Sequence, residues 1–248
     1  MSRELSQIEK NRIDSEQKSA RNDALQKMIR LSHVTRIYGE NGGVRALDDI
    51  SLEIARHDFA AITGPSGCGK STLMHLIGGL DTPSRGEVFV DELALHRASE
   101  AELTNYRRHK LGIVFQFFNL LPTMSVLENV CLPLLLQGEP LPRAQTRARE
   151  LIEMVNLTKR ENYFPHQLSG GELQRTAIAR ALIHKPSVLL ADEPTGNLDS
   201  ANAAQVMETL QKIASQALTT MVVVTHSEEI ARIAPRKIAM RDGKIISA

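Results

Sequence analysis

The chain has 248 residues and is 42% hydrophobic, enough to bury a substantial core and in keeping with one globular unit. Its 30 Lys and Arg against 29 Asp and Glu leave a net charge of +1, so there is no global electrostatic footprint for nucleic acid or a membrane surface. Cys68 and Cys131 form neither a disulfide framework nor a metal-ligand cluster, which suits a reducing, cytoplasmic setting.

Residues 1–27 alternate charges and amides (Glu9, Lys10, Arg12, Asp14, Glu16, Lys18) without the apolar core of a signal peptide, and read as a polar, mobile or weakly helical extension. The domain proper is expected over 28–248. Ile29 to Tyr38 and Val44 to Ile54 show period-two stretches around a Gly39, Gly42, Gly43 turn cluster, the pattern of an antiparallel pair at a sheet edge. Phe59 to Thr63, Leu111 to Phe115, Val188 to Asp192 and Met221 to Thr225 are short apolar runs alternating with helical stretches, which predicts a mostly parallel sheet of buried strands. Between Gln116 and Ser169 the strand signal disappears; helical spacing is clearest over Pro142 to Leu157, so 117–168 reads as a helical insertion. The longest apolar run, Val130 to Leu136 with Pro133 inside it, falls far short of the roughly 20 residues that span a bilayer. At the end, Lys237 to Met240 and Lys244 to Ser247 flank Asp242-Gly243, a dipeptide suited to the positive φ angles of a tight hairpin.

The chemistry sits at the ends of the apolar runs. Gly64-Pro65-Ser66-Gly67-Cys68-Gly69-Lys70-Ser71 fits G-x-x-x-x-G-K-[ST] between the strand ending at Thr63 and a helical run Thr72 to Ile77. The glycines let successive amides point at phosphate oxygens and the helix N-terminus adds partial positive charge. Lys70 brings a point charge for the β and γ phosphates, and Ser71 a ligand for Mg²⁺. Cys68 fills a variable position of this loop and reads as a small tolerated residue, with redox regulation at a helix N-terminus the lesser alternative. Val188 to Glu193 is an apolar strand delivering two acids at its carboxyl end, where ligands sit in open α/β sheets. Asp192 is placed to hold the Mg²⁺ shell and Glu193 to reach an attacking water. Leu168-Ser169-Gly170-Gly171-Glu172-Leu173-Gln174 opens a helix with Leu173, Ala177, Ile178, Ala181 and Leu182 on one face, and its hydroxyl and glycine amides make a second anion site.

Leu168-Ser169-Gly170-Gly171-Glu172 resembles the signature of the ABC ATPases, and further marks of that family follow the same order along Tyr38 to Ala248. Tyr38 is similar to the aromatic that stacks on adenine; Gln116 to the glutamine that touches Mg²⁺ and the nucleophilic water; His226 to the switch histidine on the γ-phosphate. The resemblance implies an α/β fold, a P-loop NTPase nucleotide-binding domain of ABC type. Its mostly parallel core sheet would carry an antiparallel β edge and a helical subdomain. It also implies nucleotide contacts from the phosphate loop, Thr72, Ser169, Gly170, Gly171 and Asp199, with ATP and Mg²⁺ as cofactors. Two copies are then expected to pair head to tail, each signature closing over the other copy's nucleotide.

Lys70 and Ser169 lie only 99 positions apart, which does not accommodate the long coiled coil of chromosome-condensation ATPases, and one cassette is present where soluble translation factors carry two. A transporter motor with separately encoded transmembrane permease subunits remains, held at the cytoplasmic face of the membrane through them. Gly78-Gly79-Leu80-Asp81-Thr82-Pro83, Val114 to Pro122, Glu128-Asn129-Val130 and Asp192 to Asp199 resemble the lipoprotein-release and macrolide-exporter subgroup. A mechanical signalling role, as in the related cell-division ATPase, stays open as the alternative. Phe117, Phe118, Leu120, Leu121 and Met124 are too apolar for a solvated loop, so some of them are expected to face the partner.

Overall fold

The computed structural model describes residues 27–39, 43–216 and 219–248. The expected polar extension lies outside them except for Lys27, which opens the first strand. β1 (Lys27–Tyr38) and β2 (Val44–Ala55) pair antiparallel, with Ile29 opposite Ile54, Leu31 opposite Leu52 and Val34 opposite Ile50, so the period-two apolar sets meet on one buried face.

This pair does not border the parallel sheet, as the sequence suggested. With β4 (Arg85–Val90) and β5 (Leu93–Ala94) it forms a separate four-stranded sheet in the order β2-β1-β4-β5. β4 escaped the sequence reading because Arg85, Gly86 and Glu87 are exposed, and only Val88 and Val90 carry the alternation inward.

The second sheet has six strands in the order β10-β9-β3-β8-β7-β6. Its members are β3 (Phe59–Thr63), β6 (Leu111–Val114), β7 (Val188–Asp192), β8 (Thr220–Thr225), β9 (Arg236–Arg241) and β10 (Lys244–Ser247). β9 through β6 are parallel neighbours and β10 returns antiparallel from β9. The β9–β10 turn uses Asp242 at φ 48° and Gly243 at φ 76°, the two positive values the dipeptide predicts.

Each central strand is apolar on both faces because each face has its own cover. Val188, Leu190, Val222 and Val224 join α1 (Lys70–Ile77) and the four-stranded sheet in one core; Leu189, Ala191, Met221 and Val223 join the helices of the other side in a second. Those helices are α3 (Val126–Leu136), α4 (Leu141–Met154), α5 (Gly170–Leu182), α6 (Ser200–Ser215) and α7 (Glu228–Ile233). α2 (Glu100–His109) lies before β6. Residues 117–168 contain the helices α3 and α4 and no strand. Ala144, Ala148, Leu151 and Ile152 form the buried stripe of α4, which ends at Met154, before the expected Leu157, with Asn156 at φ 60°.

Candidate functional site

The strand order gathers four chain segments at one sheet end. β3, β8, β7 and β6 are adjacent and parallel, so the phosphate loop after β3, His226 after β8, Asp192 and Glu193 at the end of β7, and Gln116 after β6 emerge side by side. Together with Ala46 they line a cavity of about 600 Å³. Carboxyl ends of parallel strands are where open α/β sheets bind ligands.

The loop is built for close backbone approach. Gly67 and Gly69 have φ of 77° and 103°, and a Cβ on Gly69 would strike the carbonyl oxygen of Ala46. Gly69 caps α1 with no side-chain hydrogen bond, which leaves the first-turn amides of that helix to an anion. Ser66, Gly67, Gly69, Lys70, Ser71 and Thr72 line the cavity. Lys70 is held over the loop, its Nζ donating to the carbonyls of Gly64 at 2.9 Å and Pro65 at 3.0 Å. Gly64, Pro65 and Cys68 do not themselves line the cavity. Cys68 is buried in the core, and its carbonyl accepts the Gly243 amide at 3.1 Å, tying the loop to the C-terminal hairpin.

On the facing wall, Ser71 Oγ lies 3.5 Å from Asp192 Oδ1. Burial pushes the Asp192 carboxyl above its ordinary range; the Ser71 hydrogen bond opposes this and the neighbouring Glu193 charge adds to it. Among the described residues no cluster of three or more His, Cys, Asp or Glu could hold a metal. The donors this cavity offers a cation are the oxygens of Ser71, Asp192 and Gln116, beside those of a bound phosphate. That hard-oxygen set, sparing in carboxylates, fits Mg²⁺.

Glu193 stands at φ 44°, a left-handed backbone that non-glycine residues rarely adopt, and its amide donates to Val224 of β8 at 2.8 Å. The turn aims its carboxylate at His226: Oε2 accepts the His226 amide at 3.1 Å, and Oε1 lies 2.9 Å from Nδ1. Gln116 is fixed through its carbonyl, which accepts from Asn197 Nδ2 at 3.1 Å.

The remaining expected residues stand outside this cavity. Tyr38 is 40% exposed; its hydroxyl donates to Asp81 at 2.7 Å and the Arg36 guanidinium lies over its ring, 4.5 Å from the centroid. Asp199 caps α6 by accepting the Asn202 amide at 2.9 Å. Ser169 caps α5, and Gly170 and Gly171 form its first turn. Gly171 packs so tightly on the Asn202 side chain that a Cβ there would overlap Asn202 Oδ1.

Several residues contribute in ways the sequence did not show. Ala46, which lines the cavity, lies in an ordinary strand. Arg180 of α5 donates to the carbonyls of Phe118 and Asn119, at 2.9 Å and 2.5 Å, and so holds the left-handed turn that follows Gln116. Asn129, fully buried, binds Leu121 through both its amide and its carbonyl, as well as the carbonyls of Met124 and Ser125.

The family profile described as ABC transporter matches residues 47–196. The chain is 43% identical over 224 residues to the lipoprotein-releasing system ATP-binding protein LolD of Bordetella avium, covering 90% of this chain and 97% of that protein. It is 44% identical over 227 residues to the uncharacterized ABC transporter ATP-binding protein MJ0796 of Methanocaldococcus jannaschii, covering 88% and 95%. Among solved structures, the dimeric post-hydrolysis state of MJ0796 bound to ADP and phosphate aligns with a TM-score of 0.82 at 41% identity, over 89% of this chain and 97% of that one. A phosphate loop, two strand-end acids and a strand-end histidine meeting in one cavity, on a chain matched over most of its length, identify it as a member of the ABC transporter family, one of its ATP-binding and ATP-hydrolysing cassettes.

Proposed function

We propose that this chain pairs head to tail with a second copy around two ATP molecules and drives separately encoded transmembrane permease subunits in lipoprotein release or efflux. The observation that carries this reading is the division of the site. Lys70, Ser71, Gln116, Asp192, Glu193 and His226 share one cavity, while Ser169 and Gly170 cap a helix outside it and have the chemistry to close another copy's site. The dimeric MJ0796 structures support such pairing, and the similarity to LolD supports the release role.

Within the cavity, the loop amides and Lys70 bind the phosphates. Ser71, Asp192 and Gln116 hold Mg²⁺, which when bound neutralises charge on the β and γ phosphates. Glu193 accepts a proton from the attacking water, and His226, held by Glu193 at its backbone amide and Nδ1, contacts the γ-phosphate. Tyr38 offers its free ring face to adenine, Arg36 covering the other. Asp199, at the start of α6, contributes to the second copy's site.

Among the described residues no helix is long and apolar enough to cross a membrane, so attachment to the cytoplasmic face falls to the permease partner. Phe117, 72% exposed, and Leu121, 40% exposed, are the anchors proposed for it; Phe118, Leu120 and Met124 are half-buried and serve packing. The test is reconstitution in vesicles with the membrane subunits encoded beside this chain. ATP is expected to drive release of a lipid-anchored protein from the wild-type assembly and not from the Glu193→Gln assembly. Release without ATP, or equal release by both assemblies, overturns the proposal.

A further inference from the structure

The described residues carry three Ser-x-x-Glu capping boxes: Ser99 with Glu102 on α2, Ser125 with Glu128 on α3, and Ser169 with Glu172 on α5. In the first two the serine hydroxyl also spends its proton on the glutamate, at 2.7 Å for Ser99 and 2.8 Å for Ser125. At Ser169 that bond is weaker. Glu172 Oε2 accepts the Ser169 amide at 2.9 Å and Ser169 Oγ accepts the Glu172 amide at 3.3 Å, but the hydroxyl makes no short hydrogen bond to the carboxylate like those of the other two boxes and is only a minor influence on it.

The difference between the boxes is Arg160. Its Nε donates to Glu172 Oε1 at 2.8 Å, whereas neither Glu102 nor Glu128 has an arginine partner among the described residues. With one oxygen fixed on the guanidinium and the other on the backbone amide, the carboxylate holds the hydroxyl less closely than in the other two boxes. Partial burial works against ionisation of Glu172, but the Arg160 bond and then the Ser169 amide outweigh it and hold the carboxyl below its ordinary value, with the hydroxyl a lesser influence.

Arg160 is itself anchored. It closes the short 3-10 turn Thr158–Arg160, and its guanidinium lies 4.7 Å from the Tyr163 ring centroid. The carbonyls of Glu161 and Tyr163 accept the Leu127 and Val126 amides, the first turn of α3, which comes after the segment bearing the exposed Phe117 and Leu121.

We propose that Arg160 is a positioning residue of the signature: by holding Glu172 it keeps the Ser169 hydroxyl free to donate to a phosphate oxygen of ATP bound by a second copy of this chain. Without it, Glu172 takes the geometry of the other two boxes and the hydroxyl is consumed internally. This inference rests on the composite-site reading above.

The test uses the full chain in a Glu193→Gln background, where ATP-bound dimers accumulate, and measures ATP-dependent dimerisation by sedimentation alongside ATP affinity of the monomer and melting temperature. The Arg160–Glu172 pair is partly exposed, so its loss is worth roughly threefold per site, which becomes about tenfold in the dimer constant because each dimer has two such sites. Arg160→Met is expected to weaken dimerisation by that amount with monomer ATP affinity unchanged, and Arg160→Lys to recover part of it. Glu172→Gln is expected to reproduce the effect, with no further loss in the double variant, and it serves as the readout if Arg160→Met does not fold. Ser169→Arg is the control that separates the two ideas. If Ser169→Arg abolishes the dimer while Arg160→Met and Glu172→Gln dimerise like the parent, the Arg160 inference alone is overturned. If Ser169→Arg dimerises like the parent, the composite site is overturned and this inference with it.

Discussion

Replacing Glu193 with Gln changes one atom at the most constrained point of the site, and its consequence can be worked from the surroundings. The backbone at φ 44° and the amide bond to Val224 do not depend on the side-chain charge, so the turn persists. The carboxylate now serves two groups of His226, the amide at 3.1 Å and Nδ1 at 2.9 Å. A carboxamide has a single oxygen, so it can satisfy one donor and must present NH₂ to the other, and it cannot take a proton from water. Losing a general base costs about 10²- to 10⁴-fold, or about 2.7 to 5.5 kcal/mol in the barrier. Lys70, Ser71 and the loop amides are untouched, so ATP affinity should stay within about threefold, under about 0.7 kcal/mol. The assay pairs phosphate release by the purified chain in Mg²⁺ and ATP with titration of a fluorescent ATP analogue, and sedimentation is expected to show an ATP-bound dimer. Turnover within a few-fold of wild type would remove Glu193 from the role of base, and an equal fall in affinity and turnover would make it a binding residue instead.

Lys70→Ala removes the charge set on the loop carbonyls and should lower ATP affinity of the monomer by on the order of a hundredfold, whereas Ser169→Arg should leave monomer affinity intact and block dimerisation; equal loss in both by equilibrium titration contradicts the composite site. Leu121→Asp alters a side chain that is 40% exposed while Asn129 still holds the backbone of residue 121, so the isolated chain should fold and bind ATP but lose partner-stimulated ATPase. Failure to fold, or full stimulation in the assembled complex, would show the docking surface to be misplaced. Asn129→Ala removes the acceptor of the Leu121 amide and the donor to the Met124 carbonyl, while the Leu121 and Ser125 carbonyls keep the backbone amides of residues 124 and 129; it should cost about 1 to 3 kcal/mol in urea unfolding, with earlier proteolysis near residues 121–125. A loss below about 1 kcal/mol would mean that water replaces the side chain without penalty.

The residues lining the cavity were mostly legible because their chemistry is local. Gly64 to Ser71 is contiguous, and the positive φ angles it needs are written in its glycines. Asp192 and Glu193 announce themselves as acids ending an apolar run, and Asp242-Gly243 specifies its turn by the conformations those two residues tolerate. The stripe of α4 follows from helical spacing alone.

What needed the tertiary structure was everything that depends on which distant segments share a face. The central strands are apolar on both sides and so interchangeable as patterns; nothing in them shows that β8 lies between β3 and β7 and brings His226 against Glu193. The four-stranded sheet was missed because β4 has only Val88 and Val90 turned inward, and its place is settled by pairing with β1. Arg160 and Arg180 look like ordinary polar residues in sequence, and Asn129 is marked only by the family resemblance of Glu128-Asn129-Val130. Their roles arise from one carboxylate, two carbonyls and one loop that only the folded chain brings within hydrogen-bonding distance. Sequence thus fixes chemistry wherever it is encoded in neighbouring residues. The geometry that combines it comes from burial and strand pairing between residues far apart in the chain, which no local pattern records.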